Sequence, residues 1–208
     1  MSLIVENGVL VAYKAEDGEV SVTVPDEVEE IGDGAFLGAV ALREVRLHGG
    51  IRRIGDGAFD SCFSLAAVRL GGGVEVVGEG AFRDCSSLAS VALPPSLTYL
   101  GEGAFEGCSS LRAVRLPSRI RELPEGVFRD CWALEAVELP HSLRIIEAEA
   151  FFGCLSLREI VIPSTVQSVG EGAFVGCDRL MHIVAPLHLE EAIGKPHPDC
   201  VVQLRGDA

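Results

Sequence analysis

The sequence predicts a right-handed solenoid of the α/β type, in which stacked turns replace a single compact core. The first observation is a period of 23 residues, carried by seven phenylalanines: Phe36, Phe59, Phe82, Phe105, Phe128, Phe151 and Phe174. The second is that all seven cysteines keep this spacing: Cys62, Cys85, Cys108, Cys131, Cys154, Cys177 and Cys200. The third is that leucine, β-branched and aliphatic columns follow the cysteines in a constant order. A fixed period of this kind is the signature of a repeat protein, whose units pack on their neighbours.

Residues 1–24 are predicted to form an N-terminal β cap of three strands. Asn7-Gly8 lies between two apolar runs, and this dipeptide favours a hairpin with a type I′ turn. A second turn is expected at residues 16–18, followed by a strand that contains Val22. Val22 precedes Val45 by one period, so this strand should lie in register with the first strand of the array. An uncapped end would expose the core and an unpaired sheet edge.

Residues 25–186 are predicted to form the repeat array. In each unit, Leu-x-x-Val-x-Leu indicates a short parallel strand, and the proline that usually follows ends it because proline cannot donate to a sheet. The segment Gly-Asp/Glu-Gly-Ala-Phe-x-x-Cys, as at 78–85, predicts a tight turn and then a short helical or 3₁₀ segment. The acidic residue of this segment would lie at a helix N-terminus, where the dipole favours negative charge.

The pattern decays after residue 186. Residues 187–208 are interpreted as a degenerate C-terminal cap and a tail. A helical turn is expected over 189–193 and a last strand over 200–204.

The cysteines are predicted to be free thiols in the core. The sequence contains no Cys-x-x-Cys pair and no paired histidine spacing of the kind that zinc sites use. Stacked side chains point in parallel, which leaves the Cβ atoms of neighbouring cysteines too far apart for an unstrained disulfide. We therefore expect the thiols to act as small apolar fillers.

Composition excludes several classes of function. The chain has 208 residues and a formal net charge of −14, which disfavours binding to nucleic acid or to an anionic membrane surface. Every apolar stretch is interrupted by charge, so no membrane insertion is expected. The first residues lack the features of a signal peptide, which leaves an intracellular protein or a piece of a longer one as alternatives.

No catalytic motif is recognisable. The sequence contains no P-loop, no nucleophile elbow and no His-Glu-x-x-His. Its five histidines have no obvious partner acid or nucleophile: His48, His141, His182, His188 and His197. We therefore predict a protein that is not an enzyme and that requires no cofactor or metal.

One unit carries a family resemblance. Residues 85–105 read CSSLASVALPPSLTYLGEGAF, which resembles the 23-residue repeat of the BspA-like class of bacterial leucine-rich repeats. The resemblance extends over most of the chain, with Pro124 and Glu147 in place of the repeat glycine. It implies a leucine-rich-repeat solenoid and a non-enzymatic protein that is exposed on the bacterial surface or secreted. It also implies adhesion to host proteins or to other cells.

The outward-facing residues of the predicted strands are the candidate binding site, since parallel strands stacked into an arc present them on one face. This face is mildly basic on a strongly acidic protein, and it becomes acidic and then apolar towards the C-terminus. Such a surface suits an acidic protein segment held by arginine forks. The candidate residues are Arg43, Arg46, Arg69, Arg112, Arg115, Glu135, Glu138, Arg158, Met181 and His182.

Several alternatives stay open from sequence alone. The charges of the strand face could serve solubility only. A column of acids, which begins with Asp33 and Asp56, could coordinate calcium. Residues 205–207 read Arg-Gly-Asp, a tripeptide that can serve as an integrin ligand when it is exposed.

Two interpretations of the function also stay open. As an adhesin module, the chain would bind a host extracellular-matrix protein, a serum protein or a glycan. As an intracellular scaffold or an architectural spacer, it would have no adhesive role. In either case we expect a monomer.

Overall fold

The computed structural model describes residues 2–14, 20–194 and 196–206, so the turn expected at 16–18 and the last residue of the Arg-Gly-Asp tripeptide lie outside it. The described chain is a β-solenoid of about eight turns with little helix. Its strands are, in chain order, β1 (Ser2–Glu6), β2 (Val9–Lys14), β3 (Ser21–Thr23), β4 (Glu30–Ile31), β5 (Glu44–Arg46), β6 (Arg53–Ile54), β7 (Ala67–Arg69), β8 (Val76–Val77), β9 (Tyr99–Leu100), β10 (Ala113–Arg115), β11 (Glu122–Leu123), β12 (Ala136–Glu138), β13 (Ile145–Ile146), β14 (Glu159–Val161), β15 (Ser168–Val169), β16 (His182–Pro186) and β17 (Val201–Arg205).

Each turn contributes to two parallel sheets on different sides of the solenoid. The first sheet holds the three-residue strands and the longer strands β16 and β17, and it runs in pieces: β3-β5-β7, β10-β12 and β14-β16-β17. The second sheet holds mainly two-residue strands, ordered β1-β2-β4-β6-β8-β9 and β11-β13-β15. Partners in the array are one period apart, as Val114 is from Val137. The sequence period therefore sets the register of both sheets.

The break in the second sheet coincides with a departure from the repeat. Gly78 and Gly101 each donate their N–H to the preceding turn, with N···O distances of 2.8 Å. Pro124 occupies the corresponding position and has no N–H to donate. The ladder accordingly ends at β9 and resumes at β11.

The N-terminal strands form as predicted but do not make a single three-stranded layer. Asn7 and Gly8 both have positive φ, 49° and 79°, as a type I′ turn requires, and β1 pairs antiparallel with β2. The hairpin then continues the second sheet through β2 and β4. β3 instead starts the first sheet, with Val22 opposite Val45 as the period predicts.

The prediction of a short helical segment within each repeat was wrong. In the turn around Phe59, every second N–H donates to the following turn: Gly57 to Glu79, Phe59 to Ala81 and Ser61 to Arg83. The N–H groups that alternate with them close four-residue turns, as from Cys62 to the carbonyl of Phe59. A helix needs consecutive bonds within the segment, and here alternate donors are committed to the neighbour. In the described chain, helix occurs only near the C-terminus, as a 3₁₀ turn (Leu187–Leu189) and α1 (Glu190–Ile193).

The C-terminal cap agrees with its prediction. α1 covers the expected helical turn, and β17 pairs parallel with β16 as the last strand. The bonds between these strands continue the first sheet, with Ile183 opposite Val202.

The core consists of ladders that run the length of the solenoid. Successive rings from Phe36 to Phe174 stack with centroids 4.7–5.7 Å apart and planes within 18°. All seven cysteines are buried free thiols, as predicted. The thiols also do something that the sequence did not reveal: each from Cys62 to Cys177 donates to the carbonyl of the phenylalanine 26 residues earlier, at 3.1–3.2 Å. No polar or charged residue is buried in the described chain.

The glycine at the start of each Gly-Asp/Glu-Gly segment is required by close approach between turns. A Cβ on Gly101 would lie 2.3 Å from the backbone nitrogen of Glu79 and 2.5 Å from the carbonyl carbon of Gly78. We expect Gly101→Ala to force these turns apart and to lower the free energy of unfolding by about 2–4 kcal/mol in urea denaturation. Gly72→Ala is the matched control, because its Cβ would meet nothing within 4 Å. Equal stability of the two variants would contradict this account.

Candidate functional site

The outer side of the first sheet forms a continuous face, which we call the strand face. In most of the three-residue strands the middle residue, such as Val45 or Ile160, is buried, and its neighbours point outwards because side chains alternate across a strand. The face has three columns: the residue before each strand, its first residue and its last. Stacking at about 4.8 Å brings equivalent side chains of successive turns into contact range.

The structure places all ten candidate residues on the strand face and exposes each of them: Arg43, Arg46, Arg69, Arg112, Arg115, Glu135, Glu138, Arg158, Met181 and His182. They do not form one compact cluster. Parallel register at one-period offsets spreads them over seven successive turns. The arrangement therefore suits an elongated partner that crosses several turns.

At the N-terminal part of the face, two arginines converge on one acid. Arg46 donates from Nε to Glu44 Oε1 at 2.9 Å, and Arg69 Nε lies 3.5 Å from the same oxygen. The hydrogen bond from Arg46 lowers the pKa of Glu44 and raises the pKa of the guanidinium. Two cations thus share one anion, and this end of the face retains a positive excess.

Further along, pairing neutralises more of the charge than the sequence indicated. Arg115 Nε lies 3.2 Å from Glu138 Oε2, and an Arg158 nitrogen lies 3.9 Å from Glu135 Oε2. Arg112 makes no ion pair with any described residue. The acids Glu135 and Glu138 are thus paired with arginines of the neighbouring turns. Exposed pairs of this kind contribute about 0–1 kcal/mol, so the arginines can exchange them for a partner's carboxylates.

A groove that the sequence analysis missed borders the strand face. It follows the ends of the first-sheet strands near the C-terminus, has a volume of about 730 Å³, and includes Glu138, Glu159, Val161 and Arg205 in its lining. Its floor comes from the aliphatic and proline columns, as at Ile162. A second groove of about 670 Å³ continues it over the preceding turns. The repeated aliphatic-proline pair was the available indication, since these residues end the strands at one edge.

The acidic column has a structural role where aspartate occupies it. Asp33 Oδ1 accepts the N–H of Asp56 at 2.8 Å, and Asp56 Oδ1 accepts the N–H of Glu79 at 3.0 Å. In the described chain no helix begins at this column, so a helix dipole does not account for its acidic residues. Among the described residues, no group of three or more His, Cys, Asp or Glu side chains is arranged to hold a metal ion.

The thiols are poorly suited to nucleophilic chemistry. Burial raises the pKa of Cys62 to about 11 and raises the pKa of Cys85 and Cys131 well above the usual range. A thiol is nucleophilic only as the thiolate. These side chains therefore serve packing and hydrogen bonding.

Comparison with known proteins finds that this chain is similar to leucine-rich repeat proteins. A model of the BspA type leucine rich repeat region matches residues 13–135 and 121–195, with six copies. A leucine rich repeat protein of T. pallidum is 33% identical, with a TM-score of 0.78 over 92% of this chain and 90% of that one. A leucine rich cell surface protein from Faecalibacterium prausnitzii is 30% identical, with a TM-score of 0.79 over 84% of this chain.

This chain spans 49% of the Faecalibacterium protein's length. No curated protein matches the present chain. In the described part of the chain, no helix has the length and apolar character that crossing a membrane requires.

Proposed function

Because the chain belongs to the family of BspA-type leucine-rich repeat proteins, we propose that it is a non-catalytic protein-binding module on the surface of a bacterium or secreted from it, with an adhesive role. A repeat module suits this role, because stacked turns present an extended surface without a deep pocket. The description of the Faecalibacterium relative as a cell surface protein supports the location.

The observation that carries the proposal is the charge of the strand face. The face holds six arginines and four glutamates, whereas the whole chain has a net charge of −14. Long-range repulsion from the rest of the protein disfavours acidic partners everywhere except at this face. We therefore propose that the partner presents an acidic, extended segment, whether from a host matrix protein, a serum protein or a glycan.

The neighbouring groove supplies the second component of recognition. Arginine forks at Arg69, Arg112 and Arg115 would engage carboxylates of the partner. The aliphatic and proline columns would accept an apolar part of the same segment, next to the exposed Val161. Electrostatics would then set orientation and association rate, and burial in the groove would slow dissociation.

Charge reversal at three arginines tests the proposal. The triple variant Arg69→Glu, Arg112→Glu and Arg115→Glu is expected to weaken binding by about 100-fold or more, because each change places like charges in opposition. The measurement is capture from host matrix and serum proteins by the immobilised domain, followed by titration of the partner with both proteins.

A matched control separates the site from net charge. Arg52→Glu, Arg121→Glu and Arg144→Glu reverse three exposed arginines away from the strand face and change the net charge equally. This variant should keep most of the affinity. Equal losses in both variants, or no loss in the first, would refute the assignment of the site.

A further inference from the structure

The side of the solenoid that carries the phenylalanine turns exposes large apolar residues that the strand face does not explain. Leu37, Val40, Phe63, Trp132 and Leu155 are 62%, 55%, 48%, 54% and 41% exposed. They occupy two columns, one residue after each phenylalanine and one residue after each cysteine position. We call these two columns, over the six turns from Phe36 to Phe151, the turn face; Val175, which is 52% exposed, and Asp178 continue the columns on the turn of Phe174, outside this face.

Both columns of the turn face are apolar at their ends and polar in the middle. In chain order the first column contains Leu37, Asp60, Arg83, Glu106, Arg129 and Phe152. The second contains Val40, Phe63, Ser86, Ser109, Trp132 and Leu155. When each column is compared with its own reverse order, the two residues at every position are either alike in polarity or opposite in charge.

The charges of the first column already alternate along the chain. Arg83 Nε lies 3.5 Å from Glu106 Oε2, and an Arg129 nitrogen lies 4.0 Å from Glu106 Oε1. Arg129 also lies over the ring of Phe152, 5.5 Å from its centroid. These contacts hold the charged side chains in a row between the two apolar ends.

We propose that a second copy of this chain docks on the turn face, antiparallel to the first. The two-fold axis would lie in the interface, perpendicular to the solenoid axis, between the turns of Phe82 and Phe105. Such an axis reverses the order of turns but keeps each column opposite itself, as a self-complementary interface requires. The first column then pairs Leu37 with Phe152, Asp60 with Arg129, and Arg83 with Glu106 of the second copy.

The second column fits the same axis independently. Val40 lies opposite Leu155, Phe63 opposite Trp132, and Ser86 opposite Ser109 of the second copy. The column between the two pairs Gly38 with Gly153, Ser61 with Asp130, and Asp84 with Gly107, without opposing like charges. Three adjacent columns are thus compatible with one register, and it brings together aromatic residues, a residue class that is enriched among the hot spots of interfaces.

Neighbouring registers are disfavoured by the same residues. An axis through the turn of Phe105 opposes Arg83 with Arg129 and Glu106 with itself. An axis through the turn of Phe82 opposes Asp60 with Glu106 and Arg83 with itself. Both arrangements place like charges together in the middle of the interface, which disfavours them.

The contact is small. Twelve side chains from each copy take part, against about 20–30 on each side of a standard interface. We therefore expect a dimer that dissociates in the micromolar range. It would replace the monomer expected from sequence, and the strand faces of both copies would stay uncovered for two-site binding.

The test is sedimentation velocity over a hundredfold concentration range around the micromolar regime. The wild-type protein should shift from monomer to dimer, and Trp132→Ser should weaken the dimer by at least about tenfold. A wild-type protein that stays monomeric throughout would overturn the proposal.

Charge exchange between two variants tests the register. Asp60→Arg and Arg129→Asp each oppose like charges at both symmetry-related positions, so each alone should lose dimerisation by about tenfold or more. In an equimolar mixture, the heterodimer restores both opposite-charge pairs and should form with near wild-type affinity. Asp60 and Arg129 lie three turns apart in one chain, so contacts within a monomer cannot produce this rescue. Circular dichroism of each variant would confirm that it is folded.

Two outcomes would exclude the arrangement. Variants that dimerise like the wild type place the interface elsewhere, such as at the outer edge of β17. A mixture that associates no better than its components contradicts the proposed register. Neither outcome bears on the strand face, because no residue of that face is changed.

Discussion

Raising the pH from 7 to about 10 is expected to unfold this protein cooperatively, through the buried thiols. Burial raises the pKa of Cys62 to about 11 and raises the pKa of Cys85, Cys108 and Cys131 as well. The pKa of Cys154 is also raised, by the neighbouring Cys177 thiol and by burial. In the unfolded chain, a thiol ionises near pH 8.5.

The direction in which stability changes with pH follows from the number of protons that the folded and unfolded states bind. Above about pH 8.5 the unfolded state releases thiol protons that the folded state retains, so stability falls as pH rises. The full stability is present below the unfolded pKa and is lost as pH rises towards the folded pKa, about 11 for Cys62. For Cys62 this lowers the free energy of unfolding by about 2 kcal/mol at pH 10. The other buried thiols act in the same direction, and a typical domain has only about 5–15 kcal/mol of stability to lose.

Urea denaturation between pH 7 and pH 10 measures the effect. Few other groups titrate in this range, because the chain has two tyrosines and two lysines. Cys131→Ala removes one of these thiols, so its stability should fall less steeply above about pH 8.5 than that of the wild type. Val114→Ala also truncates a buried side chain but should leave the dependence unchanged. Identical pH dependence in wild type and Cys131→Ala would rule out the thiols as its cause.

The periodicity made most of this fold predictable. A column of identical residues every 23 positions indicates which side chains stack, and it gave the register of β3 on β5 as well as the burial of the thiols. The connecting segment was mispredicted because local propensity treats it in isolation. Its alternate N–H groups donate to the next turn, and these bonds between turns cannot be inferred from the sequence of a single repeat.

The candidate site was predictable in position but not in charge. Alternation along a strand places Arg69 and Arg115 outwards once Val68 and Val114 face the core. Which acid each one reaches depends on side-chain length and on contacts between turns, as with the two arginines around Glu44. The groove was missed because it arises between the strand ends of several turns, and no single residue type marks it.

Phe105→Ala is expected to have one of the largest effects among single truncations in the core. Phe105 is fully buried and stacks on Phe82 at 5.3 Å and on Phe128 at 5.7 Å. Its carbonyl also accepts the thiol of Cys131 at 3.2 Å, so a shifted backbone would disturb a second ladder. Removing the ring leaves a cavity and ends both stacking contacts, which should lower the free energy of unfolding by about 4 kcal/mol.

Position in the ladder provides the controls. Phe174→Ala removes a buried ring that stacks on Phe151 at the end of the ladder and should cost less. Phe63→Ala truncates a half-exposed ring and should cost under about 1 kcal/mol in dilute protein. Because each turn contacts only its neighbours, a gap at Phe105 also uncouples the two halves of the stack. Urea denaturation should therefore show a lower m-value or two transitions for Phe105→Ala. A single transition with an unchanged midpoint would mean that the ladder does not couple the turns.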